Sequence, residues 1–247
     1  MKLLSRLYTL WCALVVMGLF LLLFPFIFIC LQRESWKVYA HEINFYWCRA
    51  FCFLAGIKIE INYEFVPNPS QTYIFCGSHF SPIDNFTIHL LVRNFFVVIG
   101  DKNIGELPLY GYMFRNLHIV VNRKDQQSRN RAMLQAIRML RSGRSVLMSP
   151  EGGIASRNPP KLYYPFEDGA FIMAIHQQLP IVPLTSTTTY QMVPDVPQPL
   201  IYRMPFKATV HKPIETKGMT MADLERLKEM TYQVMNEGLG NAVVALS

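Results

Sequence analysis

From Leu7 to Leu31 the chain runs twenty-five residues without a charged side chain, enough for a helix to cross about 30 Å of hydrocarbon. A cleaved leader is the competing reading, but its apolar region would be about 7 to 15 residues long and end at a small-x-small site. Here the run is longer and ends Phe28-Ile29-Cys30-Leu31-Gln32-Arg33. A retained membrane segment is therefore expected. Lys2 and Arg6 precede it while Arg33 and Lys37 follow it, so the distribution of positive charge does not orient it. Residues 36–56 form a second apolar stretch rich in Trp and Tyr, with sparse charges at His41, Glu42 and Arg49, a composition suited to membrane interfaces. The expected arrangement is a helical hairpin embedded from one side, with Pro25 available to bend the first helix. A single span with the second helix packed on a soluble domain remains the alternative.

The remaining chain is too apolar for disorder: 51% of the 247 residues are hydrophobic and only 17% are charged. The net charge is +7, and residues 93–144, with ten basic and three acidic side chains, carry an excess of that size. Such a local field suits an anionic partner: nucleic acid, a phosphorylated substrate or anionic lipid. The cysteines, Cys12, Cys30, Cys48, Cys52 and Cys76, lie in apolar surroundings without zinc-type spacing. They read as free thiols in a reducing compartment, with no metal site and most of the protein facing cytoplasm.

After Gly56 the pattern changes to short β-branched and aromatic runs alternating with helical ones, which predicts an α/β domain over residues 57–247 behind anchoring helices in 1–56. Strands are expected at Ile57–Tyr63, Thr72–Cys76, Phe95–Ile99, Leu117–Val121, Ser145–Met148, Ile181–Ser186 and Phe206–His211. The clearest helices are Pro82–Val92, Asp125–Ser142, Gly169–Gln178 and Met221–Asn236. The Pro-rich stretch Val193–Pro205 reads as an ordered surface loop.

The segment Cys76-Gly77-Ser78-His79-Phe80-Ser81-Pro82-Ile83-Asp84-Asn85 follows a predicted strand and opens a predicted helix. Ser81 suits the N-cap, Pro82 the first helical position and Asp84 the third, so Asp84 has a purely structural role available to it. The same turn lets Asp84 fold back to His79. A carboxylate on one imidazole nitrogen fixes the tautomer and raises the basicity of the other, which is what a general base for an alcohol needs.

Three further segments extend the pattern. Asp101-Lys102-Asn103-Ile104-Gly105 leads through Phe114-Arg115 to Val121-Asn122-Arg123; Ser149-Pro150-Glu151-Gly152-Gly153 ends a strand; and Leu179-Pro180-Ile181-Val182-Pro183 begins another. In order and spacing these blocks, with His79 and Asp84, resemble the glycerolphosphate acyltransferase superfamily, closest to the PlsC-like 1-acylglycerol-3-phosphate acyltransferases. The resemblance covers roughly residues 57–215. It implies a mixed sheet flanked by helices and transfer of a fatty acyl group to the free hydroxyl of 1-acylglycerol-3-phosphate in phospholipid biosynthesis. It also implies His79 as base, Asp84 as its orienting carboxylate, Lys102 and Arg123 as holders of the acceptor phosphate, and Glu151 and Gly152 in acceptor binding and site geometry. The donor would be acyl-CoA or acyl carrier protein, used as a substrate with no cofactor. Membrane lipids are the expected surroundings, at the cytoplasmic face of an inner, plasma or internal membrane.

One departure concerns the acceptor. The third block of that family usually continues Gly-Thr-Arg-Ser, whereas this chain has Gly152-Gly153-Ile154-Ala155, placing Ile154 at the arginine position. Transfer to another acceptor, a lyso-aminolipid or glycerol-3-phosphate, is therefore the second reading. No Gly-x-Ser-x-Gly elbow occurs in the sequence, which favours direct transfer over a serine acyl-enzyme. A nucleic-acid-binding module is disfavoured, because no aromatic residues interleave with the basic ones and a membrane anchor is an awkward companion.

Overall fold

A computed structural model of the chain describes residues 2–244. Two long helices open it: α1 (Lys2–Cys30) and α2 (Lys37–Leu54), joined by a 3-10 turn at Glu34–Trp36. They run antiparallel, with Tyr8 donating to the carbonyl of Ala55, Trp11 to that of Leu54 and Trp47 to that of Val16. Pro25 sits inside α1 without ending it. α2 closes on Gly56 at φ 66°, where the amide of Ile57 reaches back to Cys52 and that of Gly56 to Phe53. This glycine cap absorbs Ile57, so the first strand starts two residues later than its β-branched run suggests.

The α/β part holds β1 (Ile59–Tyr63), β2 (Ile74–Gly77), β3 (Phe96–Asp101), β4 (Ile119–Val121), β5 (Ser145–Met148), β6 (Ile181–Ser186) and β7 (Phe206–Val210). They form one sheet in the order β1-β7-β6-β2-β5-β3-β4. Every described pairing is parallel except β6 with β7. The sheet is therefore mixed and flanked by helices, as expected. Each predicted strand is present: β5 and β6 keep the expected bounds, β1, β4 and β7 are shorter, and β2 and β3 start later but run on to Gly77 and Asp101. Leu117 is a correction, since it closes a helix and leaves only Ile119–Val121 extended.

The helices depart further from expectation. In place of one helix over Pro82–Val92 there is a single turn, α3 (Asp84–Thr87), followed by a 3-10 turn at Ile88–Leu90. Residues 87–92 are buried consecutively, so no solvent-facing side exists to give a long helix its period. Short helices α4 (Lys102–Gly105) and α5 (Tyr110–Leu117) fill the crossover from β3 to β4. α6 (Gln126–Arg141) and α7 (Gly169–Gln177) follow the predicted spans, and α8 (Thr189–Met192) is an added turn. At the C-terminus Thr220 and Asp223 make a reciprocal capping box over a 3-10 turn, and α9 (Leu224–Val244) continues past Asn236. It passes through Gly238 because a Cβ there would lie 2.4 Å from the His211 ring.

The sheet is covered on both faces. One core joins β2, β5 and β6 to α6, α7 and α9 through Ile74, Phe171, Ile181 and Leu227. The opposite core joins Phe75, Phe96 and Phe206 to Phe51 and Cys52 of α2 and Cys12 and Val15 of α1. A third cluster seats Phe20 and Ile27 of α1 against Trp47 of α2 and Met113 and Leu117 of α5. All five cysteines are free thiols.

Candidate active site

Parallel strands end in loops on one side of the sheet, and in open α/β sheets that side is where ligands bind. β2 leads to His79, β3 to Asp101, β4 to Arg123 and β5 to Glu151. A cleft of about 270 Å³ lies there, bordered by His79, Asp84, Asn85, Asp101, Ile104, Arg123, Ser149 and Ile154.

His79 Nδ1 stands 3.2 Å from Asp84 Oδ2, with the histidine side chain 15% exposed. The same carboxylate oxygen accepts the amides of Phe80 and Ser81 at 2.8 Å each. The expected cap positions are a correction: α3 begins at Asp84 with Ile83 as its N-cap, so Ser81 and Pro82 precede the helix and Asp84 serves the turn by holding two amides before it. The structural and chemical roles open to Asp84 therefore meet at one oxygen, and the anchored carboxylate holds the ring with Nε2 left for a substrate. Ser81 does not cap in the usual way: its hydroxyl donates to the carbonyl of Val193 at 2.6 Å. The Pro-rich loop is thereby tied to the turn that carries His79. It is ordered at its other end too, where the amide of Ile201 bonds to Thr9 of α1.

Glu151 is buried and does not border the cleft. One carboxylate oxygen accepts the amide of His79 at 3.3 Å and the other that of Tyr163 at 2.9 Å. It thus clamps the histidine turn to the loop after β5. Burial pushes its carboxyl up to about 7, outweighing the two amides and the histidine that favour ionisation.

The two cations divide. Arg123 borders the cleft, and its guanidinium donates to the carbonyl of Gly152. Lys102 is exposed at the start of α4, outside the lining, although its neighbours Asp101 and Ile104 are in it. Gly152, at φ 78°, has the left-handed conformation that favours glycine and gives Arg123 its anchor, while Gly153 and Ile154 reach the cleft itself. Sequence reasoning did not find Asn85, Asp101 or Ile104 as wall residues. For Asp101 a signal existed, because its side chain caps α4 by accepting the amide of Asn103, a familiar strand-to-helix pattern.

The acyltransferase family model matches residues 58–187, just over half of the chain. This chain belongs to the acyltransferase family. The matched span contains His79, Asp84, Lys102, Arg123, Glu151 and Gly152 and leaves out α1 and α2. A Haemophilus influenzae protein named 1-acyl-sn-glycerol-3-phosphate acyltransferase is 28% identical over 142 residues, covering 57% of this chain and 58% of that protein. One of the same name from Limnanthes alba is 30% identical over 139 residues, covering 56% of this chain and 48% of that protein. The chain thus spans about half the length of such relatives. The crystal structure of the 1-acyl-sn-glycerophosphate acyltransferase PlsC from Thermotoga maritima matches with a TM-score of 0.77 at 17% identity, over 96% of this acyltransferase and 97% of that chain. Coverage so complete leaves too few residues out to omit the hairpin, so the shared fold includes it.

Proposed function

We propose that this acyltransferase moves a fatty acyl group from a thioester donor to the free hydroxyl of 1-acylglycerol-3-phosphate, yielding phosphatidic acid. The observation that carries the reading is the His79–Asp84 pair, fixed by backbone amides at the edge of a cleft. His79 Nε2 takes the hydroxyl proton as that oxygen attacks the thioester carbonyl. The C–S bond then breaks, and the departing thiolate receives the proton from the imidazolium, which Asp84 has stabilised meanwhile. Acyl-CoA or acyl carrier protein supplies the activated carbonyl, so the transfer calls on no further cofactor. Arg123 holds the acceptor phosphate from the cleft wall, with Lys102 adding charge from outside. Glu151 and Gly152 serve by holding the His79 turn and the Arg123 side chain in place.

The hairpin lies along one leaflet of the membrane, with the active site on the cytoplasmic side. Supporting this, both ends of α1 are fastened to the rest of the molecule. Near its start Thr9 accepts the amide of Ile201, and past its end Gln32 donates to the Tyr112 hydroxyl at 3.2 Å while Phe28 stacks on that ring. A helix attached to one domain at both ends cannot carry one of them across a bilayer. Its outer row, Leu3, Leu7, Leu10, Leu14, Met17 and Leu21, is exposed at the spacing of one helical face.

A second reading, another acceptor, is favoured by Ile154, which borders the cleft where related chains place a cation and leaves Arg123 as the only lysine or arginine in its wall among the described residues. Purified protein assayed with lyso-acceptors and both donors decides between them. We expect phosphorylated acceptors to be used, and Arg123→Ala to lose about thirtyfold on them, some 2 kcal/mol, with little change on neutral ones. Absence of any activity on phosphorylated acceptors overturns the first reading.

A further inference from the structure

Leu109 has φ 56° and ψ −55°, an uncommon conformation for leucine. The amide of Tyr110 bonds back to the carbonyl of Pro108 at 2.5 Å, closing a γ-turn of the strained hand around Leu109. The surroundings enforce it. Gly111 lies so close to the end of α4 that a Cβ would meet the carbonyl oxygen of Gly105 at 2.4 Å, and its amide bonds to Leu107 at 2.8 Å. Strain of this kind persists where the rest of the structure over-determines it, and it gathers at functional places. What the turn displays is apolar: Leu107 is 52% exposed and Leu109 45%.

Its position gives the display a meaning. On one side, Ile104 of α4, three residues before Leu107, forms part of the cleft wall. On the other, Tyr110 meets Phe20 of α1 edge-on at 6.0 Å, and Met17 and Leu21 beside Phe20 belong to the exposed row of α1. The turn therefore bridges the cleft and the face of the hairpin assigned to the bilayer. Resting on that membrane reading, we propose that the Leu107–Leu109 turn is a third membrane-contacting element. It dips into the lipid beside α1 and brings the α4 wall of the cleft against the bilayer, where an acceptor lipid enters. Exposed Lys102 and Glu106 just before it confine the tip to the boundary of headgroups and acyl chains, about 5–10 Å deep.

The test attaches an environment-sensitive fluorophore to Leu107→Cys, Leu14→Cys or Leu134→Cys, with the unsubstituted protein as labelling control, in phosphatidylcholine vesicles containing lipids spin-labelled near the headgroup or deep in the chain. Leu134 is exposed on α6, across the sheet from the hairpin. We expect probes at Leu14 and Leu107 to be quenched, the latter most by the shallow label, and the probe at Leu134 to be untouched. Quenching at Leu14 without quenching at Leu107 overturns the proposal and leaves the anchor standing; absence of quenching at both overturns the membrane reading beneath it. Leu107→Asp should lower turnover of vesicle-borne acceptor about tenfold, the scale of one leucine kept out of lipid, and spare a short-chain acceptor dispersed as monomers. An equal loss on both acceptors assigns Leu107 a structural role and overturns the proposal.

Discussion

The hairpin and the sheet domain use apolar sequence in opposite ways. In the sheet domain it is sealed: β2 and β6 are buried along their full length, and helices cover both faces. In α1 it is divided, with Phe20 and Ile27 packed inward while Leu14, Met17 and Leu21 are left outside. On the proposed function, the chemistry belongs to the sealed part, where main-chain amides can be aimed, and the encounter with lipid to the divided part. Composition alone marks the hairpin as the more hydrophobic region but does not say which of its side chains are covered. The difference lies in which residues have protein neighbours.

The largest effect separating the two regions should come from His79→Ala. Base catalysis of this kind contributes about 10²- to 10⁴-fold, so turnover should fall by that much while sedimentation with membranes is unchanged. Asp84→Asn should follow it, losing more than about a hundredfold, because Asn keeps an oxygen for the amides of Phe80 and Ser81 but not the charge that stabilises the imidazolium. Turnover that survives Asp84→Asn with only a lower melting temperature would leave the carboxylate as a cap.

The division within α1 is open to a direct comparison of adjacent residues. Phe20 is 5% exposed, between Trp47 and Tyr110, and Leu21 is 52% exposed. In detergent, Phe20→Ala should destabilise the protein by about 3 kcal/mol, as for a truncated core aromatic, and Leu21→Ala by less than about 0.5 kcal/mol, as for a surface site. Equal and small effects would mean that α1 is an independent span. Thermal or chemical unfolding of the two variants measures the difference.

A smaller, pH-dependent effect arises where α2 docks on the sheet. His41 and His89 meet at Phe96 with their rings 5.1 Å apart, and His118 lies 6.4 Å beyond His89, against Phe114. Burial lowers the pKa of His89 well below its usual value and that of His118 to about 3, each reinforced by neighbouring imidazoles. A depressed base leaves stability intact above about pH 6.5 and loses it on acidification, as the unfolded chain takes up the proton the fold refuses, by about 1.4 kcal/mol per pH unit and histidine. Glu151 acts with the opposite sign: its carboxyl, raised to about 7 by burial, costs stability as pH rises from about 4.5 to 7. Two bases outweigh one acid, so these groups together favour neutral over mildly acid pH. His89→Gln should flatten the dependence of unfolding free energy between pH 5 and 6.5 by about 1.4 kcal/mol per unit, read from denaturant unfolding at several pH values. An unchanged slope would show that His89 is solvated and that the α2 contact is loose.

The seven strands were legible because β-branched runs bounded by turns carry their own signal, and His79 with Asp84 because both partners sit in one short segment. α4, α5 and α8, of four, eight and four residues, are too short for helical periodicity to register. The clamp formed by Glu151 was illegible for another reason: its partners are the amides of His79 and Tyr163, and any residue type offers an amide. Lys102 shows the reverse case. Its place in a motif promised a contact with the cleft, but the start of α4 leaves it outside.

Leu109 is the residue least deducible from sequence, since leucine carries no tendency toward positive φ, and it yields the smallest prediction. Glycine adopts that conformation without the Cβ penalty, so Leu109→Gly relieves strain of about 1–3 kcal/mol. Against this stand the greater freedom of an unfolded glycine, about 0.5–1 kcal/mol, and the packing of the leucine side chain that is not exposed. With the strain near the top of that range the net is a gain of about 1 kcal/mol, a rise in melting temperature of about 2–4 °C for a chain of this size, measured in detergent. If the γ-turn is held strained in order to present apolar groups to lipid, the same variant should bind vesicles less tightly even as it becomes harder to unfold. A variant that is both more stable and equally well bound would show that the turn belongs to the sealed region after all, its leucines exposed without consequence.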